Sequence, residues 1–234
     1  MGETLLLSLN VVASILGKPK NEVLPKPPTT TSAPVVARGK DYVFGQNLED
    51  VAVFVGLQGT GHKPLSPEVL IQRWTTILRT AQRLIRQIPD DKITGNVIDN
   101  RDRSIRFLSF HIFRIGEAFL ETARDGKDYG VQLANVPPAE GDYMTGARIA
   151  QYGESTIEHL QQWWSALADK SCTAKVNTYY GVQPMSQLLE RSTWHSTQHV
   201  RQITAVLERF GIKPDGPLKP EDIAGLPLPE RLWE

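Results

Sequence analysis

The sequence predicts a mainly α-helical protein: an antiparallel four-helix bundle, preceded by a short N-terminal α/β segment and followed by a proline-rich strap. Three observations predict it. Between Ser66 and Gly211, apolar residues recur at helical spacing in four separate stretches. Those stretches are bounded by N-cap residues, prolines and glycines, the ordinary start and stop signals of helices. Prolines crowd both flanks, Pro25, Pro27, Pro28 and Pro34 on one side and Pro214, Pro217, Pro220, Pro227 and Pro229 on the other, where a long helix cannot form.

Taken in order, the chain opens on an apolar run from Leu5 to Leu16, broken by Ser8, Asn10 and Ser14. It follows Glu3 rather than a basic residue and is too short to span a bilayer, so it reads as a helix or strand packed on the body, with a signal segment as the alternative. Pro25 to Ser32 is stiff and polar. Ala33 to Ala37 and Tyr42 to Phe44 read as two short strands around a Gly39 turn, and Leu48 to Leu57 as a short closing helix. The first bundle helix starts at Ser66-Pro67-Glu68, an N-cap, a first-turn proline and a first-turn acid, and stops at Pro89. Its face is Leu70, Trp74, Ile77, Leu78, Ala81, Leu84, Ile85 and Ile88. The second runs from about Asn100 to Arg124, the third from about Thr145 to Asp169, and the fourth from near Pro184 to Gly211, a C′ glycine. The fourth helix's inward line is Met185, Leu188, Ser192, His195, His199, Ile203, Val206 and Phe210. The expected division is residues 1–65, 66–212 and 213–234, the last an extended strap with Trp233 as its anchor.

Composition excludes several functions. Of 234 residues 40% are hydrophobic and 22% charged, and 26 basic residues balance 26 acidic ones. With no basic stripe, nucleic acid is a poor partner, and no membrane association is expected. Cys172 is the only cysteine, which removes a disulfide framework, a Cys-x-x-Cys pair and a thiolate zinc cluster. A cytoplasmic protein is the default expectation. Bundles of this kind often pair through a helix face, which leaves a homodimer open.

Three of the five histidines fall where a bundle core is apolar. His195 and His199, spaced one helical turn apart, lie on the fourth helix's inward line, and His111 sits between Leu108 and Ile115 on that of the second. Three imidazoles with no thiolate suit one divalent ion, zinc first, with nickel, iron or cobalt as alternatives. The competing reading is three separately satisfied core histidines. Each buried imidazole without a partner costs on the order of a few kcal/mol, however, and a shared ion removes that cost for all three. Gln202, close to one turn beyond His199, is placed to orient a ligand from behind. His159, in a stripe with Tyr152, Thr156 and Trp163, is expected behind the ligands, along the pocket or on the surface. His62 is expected in solvent.

Trp194-His195-Ser196-Thr197-Gln198-His199-Val200-Arg201-Gln202-Ile203, with Phe107-Leu108-Ser109-Phe110-His111-Ile112 upstream, resembles the ligand-bearing helices of the DinB-like metalloprotein superfamily over about residues 66 to 212. That resemblance implies the bundle, the three histidine ligands and, from some branches, thiol-dependent transfer or isomerisation. A second stretch, Ser32 to Gly39 with Tyr42 to Asp50, resembles the C-terminal half of a glutaredoxin. It implies thiol contacts at Pro34 and Val35 and around Gln46 to Asp50, or a structural remnant. The leading expectation is a metal-dependent thiol transferase or isomerase acting on a small electrophile, with glutathione as co-substrate. Arg114 and Arg201 are candidate partners for substrate carboxylates. Tyr152, Trp163, Tyr179 and Tyr180 are candidate pocket walls, with packing the competing role for each. Two alternatives stay open: a metal-dependent hydrolase using Glu117 or Glu158 as base, and a metal-binding or stress protein without turnover.

Overall fold

A computed structural model of the chain describes residues 35–38, 41–45, 48–57, 62–99 and 102–233. The chain divides into two compact units, Met1–Lys63 and Pro64–Glu234. In the first, β1 (Val35–Arg38) and β2 (Asp41–Phe44) form an antiparallel hairpin with Val35 opposite Phe44 and Arg38 opposite Asp41. Helix α1 (Leu48–Phe54) follows and ends before Gly56, whose φ of +86° suits a residue without a Cβ. The apolar run at Leu5 to Leu16 and the Pro25 to Ser32 stretch lie outside the described residues.

The second unit is the bundle. Helix α2 (Pro67–Arg86) starts at Ser66, whose Oγ accepts from Val69 N–H. Helix α3 (Ile105–Ala123) starts at Ser104, whose Oγ accepts from Phe107 N–H at 3.0 Å. The sequence placed that start near Asn100; the Ser104 cap overrides it, because its hydroxyl satisfies an amide the helix leaves unpaired. After a one-turn helix α4 (Val131–Ala134), helix α5 (Gly146–Ala166) is capped by Thr145 and stops short of the expected Asp169. A hairpin absent from the sequence reading, β3 (Lys175–Thr178) and β4 (Gly181–Pro184), leads into α6 (Met185–Arg209). The first two amides of α6 donate to the carbonyls of Ala174 and Cys172 instead of to a side chain. Gly211 ends the helix at φ +71°, as expected.

Each of α2 and α3 packs on both α5 and α6, so α2 lies diagonal to α3 and α5 to α6. Helix α2 meets α5 head to tail: Gly146 sits against the Ile85 carbonyl, and Gln82 bonds the Ala150 carbonyl and Glu154. Helices α3 and α5 run the same way, since Gly153 meets Phe113, Thr156 meets Gly116 and Trp163 meets Phe119 in that order. Parallel neighbours need a long return. Residues 124–145 provide it, and they bring α4 alongside α3, where Ala134 meets His111.

The tail is tied to the bundle through its own carbonyls. Gln87 grips Lys213 O and Asp215 N–H, and Arg83 and Arg73 donate to Gly216 O and Glu221 O. Leu218, Ile223, Leu226, Leu228 and Trp233 pack on the core. The strap is not wholly extended: α7 (Pro220–Ile223) interrupts it, started by a proline at its first position. Among the described residues no helix is long and apolar enough to cross a membrane.

Candidate metal centre

His111 on α3 and His195 and His199 on α6 face each other across the groove between the two helices. Ring centroids lie 5.4 Å apart for His111 and His195, 5.2 Å for His111 and His199, and 4.7 Å for His195 and His199. One ring nitrogen from each lies within 4.8 Å of the others. The groove is held in register by Ser196, whose Oγ donates to Ile112 O at 3.2 Å and accepts from Trp74 Nε1 at 3.1 Å.

Two rings are oriented from behind. His111 Nδ1–H donates to the Ala134 carbonyl at 2.9 Å, which leaves the lone pair on Nε2. His199 Nδ1 lies 2.7 Å from Gln202 Oε1, and the amide's direction is set in turn: Gln202 Nε2 donates to Leu232 O at 2.9 Å. With the NH₂ committed to the strap, the oxygen faces His199 and Nδ1 is its protonated nitrogen. The strap carbonyl therefore decides, through Gln202, which nitrogen of His199 can bind a metal.

Buried polar atoms identify the group that fits here. His111 Nε2 and His195 Nδ1 are sealed from solvent with no hydrogen-bond partner. An orphaned buried acceptor costs about 1–3 kcal/mol, and a Lewis acid between the rings relieves it. Burial, then His199 and Arg103, hold His111 well below the ordinary imidazole value, with the Ala134 carbonyl opposing. Burial, then His199 and Arg191, do the same to His195. Neutral imidazoles are what a divalent ion requires. The three histidines can hold one divalent ion.

The surroundings are aromatic. Phe107 stacks on His111 with centroids 5.8 Å apart, Trp194 lies 5.8 Å from His195, and Arg103 sits over Phe107. Among the other expected site residues, Gln202 Oε1 lies against His199 Nδ1 and the Tyr180 ring lies against Arg191. Arg201 turns away to Gln198 and the Pro229 carbonyl, so it secures the strap. Arg114 is paired with Glu121, not left for a substrate. Tyr152 stacks on Phe110 at 4.9 Å and Trp163 meets Phe119 edge-on at 5.1 Å; both pack between helices. His159 is exposed on α5 and bonded to Glu117, so neither it nor that carboxylate stands behind the triad. Glu158 is exposed on the same helix. Pro34, Gln46 and the side chain of Val35 lie outside the described part of the structure, and Asp50 is exposed on α1.

Sequence reasoning missed the Ala134 carbonyl, Gln198, Arg103 and Arg191. A backbone carbonyl has no sequence signal. Arg191 had one: it precedes His195 by four residues, on the same helical face.

No family model and no curated protein matches the chain. Among solved structures, YfiT from Bacillus subtilis is similar; it is described as a probable metal-dependent hydrolase with an unusual four-helix bundle topology. The two share 14% identity and a TM-score of 0.49, over 68% of this chain and 97% of that one. A likeness of that size carries no functional weight. The glutaredoxin resemblance of the N-terminal segment finds no support in these comparisons.

Proposed function

We propose that the protein is a metal-dependent hydrolase whose divalent ion is held by His111, His195 and His199. The observation that carries the reading is the donor set: three imidazoles converge, and among the described residues no carboxylate or thiolate joins them. Three neutral ligands would leave a divalent ion its full double charge and room for a further ligand, the donor pattern of catalytic sites. A divalent ion there supplies Lewis acidity, bringing the pKa of water toward neutrality and polarising the bond under attack.

The remaining work belongs to the chain. The Ala134 carbonyl and the Gln202 amide keep two imidazoles in the tautomer that turns Nε2 inward. Phe107 and Trp194 make the walls apolar, which strengthens electrostatic effects inside. Of the expected bases, Glu117 is bonded to His159 between α3 and α5 and Glu158 is exposed on α5, so the reading assigns neither a role. A thiolate would suit the same open position. The thiol-transferase reading therefore shares the donor set.

The test is metal analysis of protein purified without added metal and then reconstituted, followed by hydrolysis assays on ester, amide and phosphoester panels. About one equivalent of metal in the parent, its loss in His195→Ala and His199→Ala, and metal-dependent hydrolysis are expected. A parent that stays empty after zinc, cobalt, nickel and iron removes the reading. A cobalt form whose spectrum shifts with glutathione, and which hydrolyses nothing in the panel, transfers the centre to thiol chemistry.

A further inference from the structure

Arg191 is a half-buried cation on α6. Its Nη2 donates to the Tyr179 hydroxyl at 2.8 Å, and its guanidinium lies 5.7, 5.4 and 5.8 Å from the rings of Tyr179, Tyr180 and Trp194. Its Nε is sealed and has no partner. No carboxylate is paired with it among the described residues. A charge taken out of water normally brings its counter-ion with it, because the desolvation cost is several kcal/mol. The same bundle follows that rule elsewhere: half-buried Arg114 is paired with Glu121.

Arg191 stands beside the three histidines. Arg191 precedes His195 by four residues on α6, so both side chains leave the same face, roughly 6 Å apart. Trp194 touches both, its ring 5.8 Å from the guanidinium and 5.8 Å from the His195 ring. A second guanidinium, that of Arg103, sits over Phe107, which stacks on His111. A divalent ion would add two more positive charges. Tyr179 is held firmly for its part: its N–H donates to Tyr129 O at 3.0 Å, and Thr178 Oγ1 closes the turn onto Gly181 O. Since the hydroxyl accepts from Arg191, its own proton is left to donate.

We propose that Arg191, with the Tyr179 hydroxyl, anchors an anionic group, a carboxylate or a phosphate, on the small molecule acted on beside the three histidines. The proposal rests on that centre being the place of reaction. It makes the ligand a short acid, its charge on Arg191 and its reacting group near the imidazoles. The span is roughly 6 Å, the reach of a three- or four-carbon chain.

Three hydroxamates on the cobalt-loaded full chain test this, read by the cobalt absorption bands: butyrohydroxamate, succinate monohydroxamate and 3-phosphonopropionohydroxamate. They share a metal-binding end and differ in a methyl, carboxylate or phosphonate at the other. One of the two charged probes is expected to bind at least about tenfold tighter than the neutral one, the worth of a charge-assisted hydrogen bond, and the tighter one names the anion. Arg191→Gln should erase that advantage and leave butyrohydroxamate unchanged, and Tyr179→Phe should reduce it. Equal binding of all three by the parent, or an advantage that survives Arg191→Gln, overturns the anchor while leaving the metal reading standing. Should Arg191→Gln fail to fold, the parent's discrimination and Tyr179→Phe decide. Should cobalt not bind, the metal reading falls, and the anchor is judged on metal-free protein by melting temperature with succinate and with inorganic phosphate. A rise that Tyr179→Phe diminishes supports it, and no rise overturns it.

Discussion

Burial acts on the imidazoles before any metal does. His111 and His195 are both pushed below the ordinary value of 6.5, chiefly by desolvation. In the metal-free protein the sign follows directly. Below pH 6.5 the unfolded chain takes up protons that the folded site refuses, so stability is full above that pH and falls on acidification. The loss is expected to reach up to about 1.4 kcal/mol per pH unit for each such histidine. Urea unfolding of metal-free protein from pH 7.5 to 5 checks it, with His195→Asn expected to flatten the profile. A parent whose stability stays level across that range would contradict the burial argument.

At the scale of elements, the contact that matters most is the parallel approach of α3 and α5. A Cβ on Gly153 would overlap the Phe113 ring, and one on Gly116 would press on Thr156. The close approach lets Phe113 and Ile112 fill the interior while His111, one residue before Ile112, is turned toward α6. Gly153→Ala is therefore expected to destabilise by about 1–3 kcal/mol through overpacking, despite the roughly 1 kcal/mol that alanine gains over glycine in a helix. Chemical denaturation measures this, and a variant as stable as the parent would show that α5 can shift at little cost. The connection that makes the parallel pair possible also brings Ala134 to His111.

Across the whole bundle unit, the strap joins α2 to the metal centre. Its first half is gripped by Arg73, Arg83 and Gln87, its last residues by Gln198, Arg201 and Gln202. Gln198 donates to Arg231 O at 3.0 Å and Leu232 O at 2.8 Å, beside Gln202 on the same carbonyl. A chain ending at Pro227 loses these carbonyls, and Gln202 is then free to rotate its amide. Metal affinity, read by competition with a chelator, is expected to drop about 10–100-fold, the size seen when a ligand's supporting hydrogen bond is removed. An unchanged affinity in a folded truncated protein would show that His199 keeps its tautomer without the strap.

The local part of this protein was legible in the chain. Helical periodicity, the Ser66 cap, the Gly211 stop and the inward placement of His111, His195 and His199 all depend on residues within a turn or two of each other, where spacing alone sets direction. Gln202 behind His199 belongs to the same class, three residues away on one helix. Other features were decided only by tertiary structure. Nothing local says that α3 and α5 run the same way, that a carbonyl from α4 meets His111, or that the strap turns the Gln202 amide. Nor does it place His159 on the exposed side with Glu117 or remove Arg114 to Glu121. Those pairings join separate segments through backbone groups and long side chains. Which partner a charged or polar side chain takes is settled by whichever one packing brings within reach, after the helices have docked.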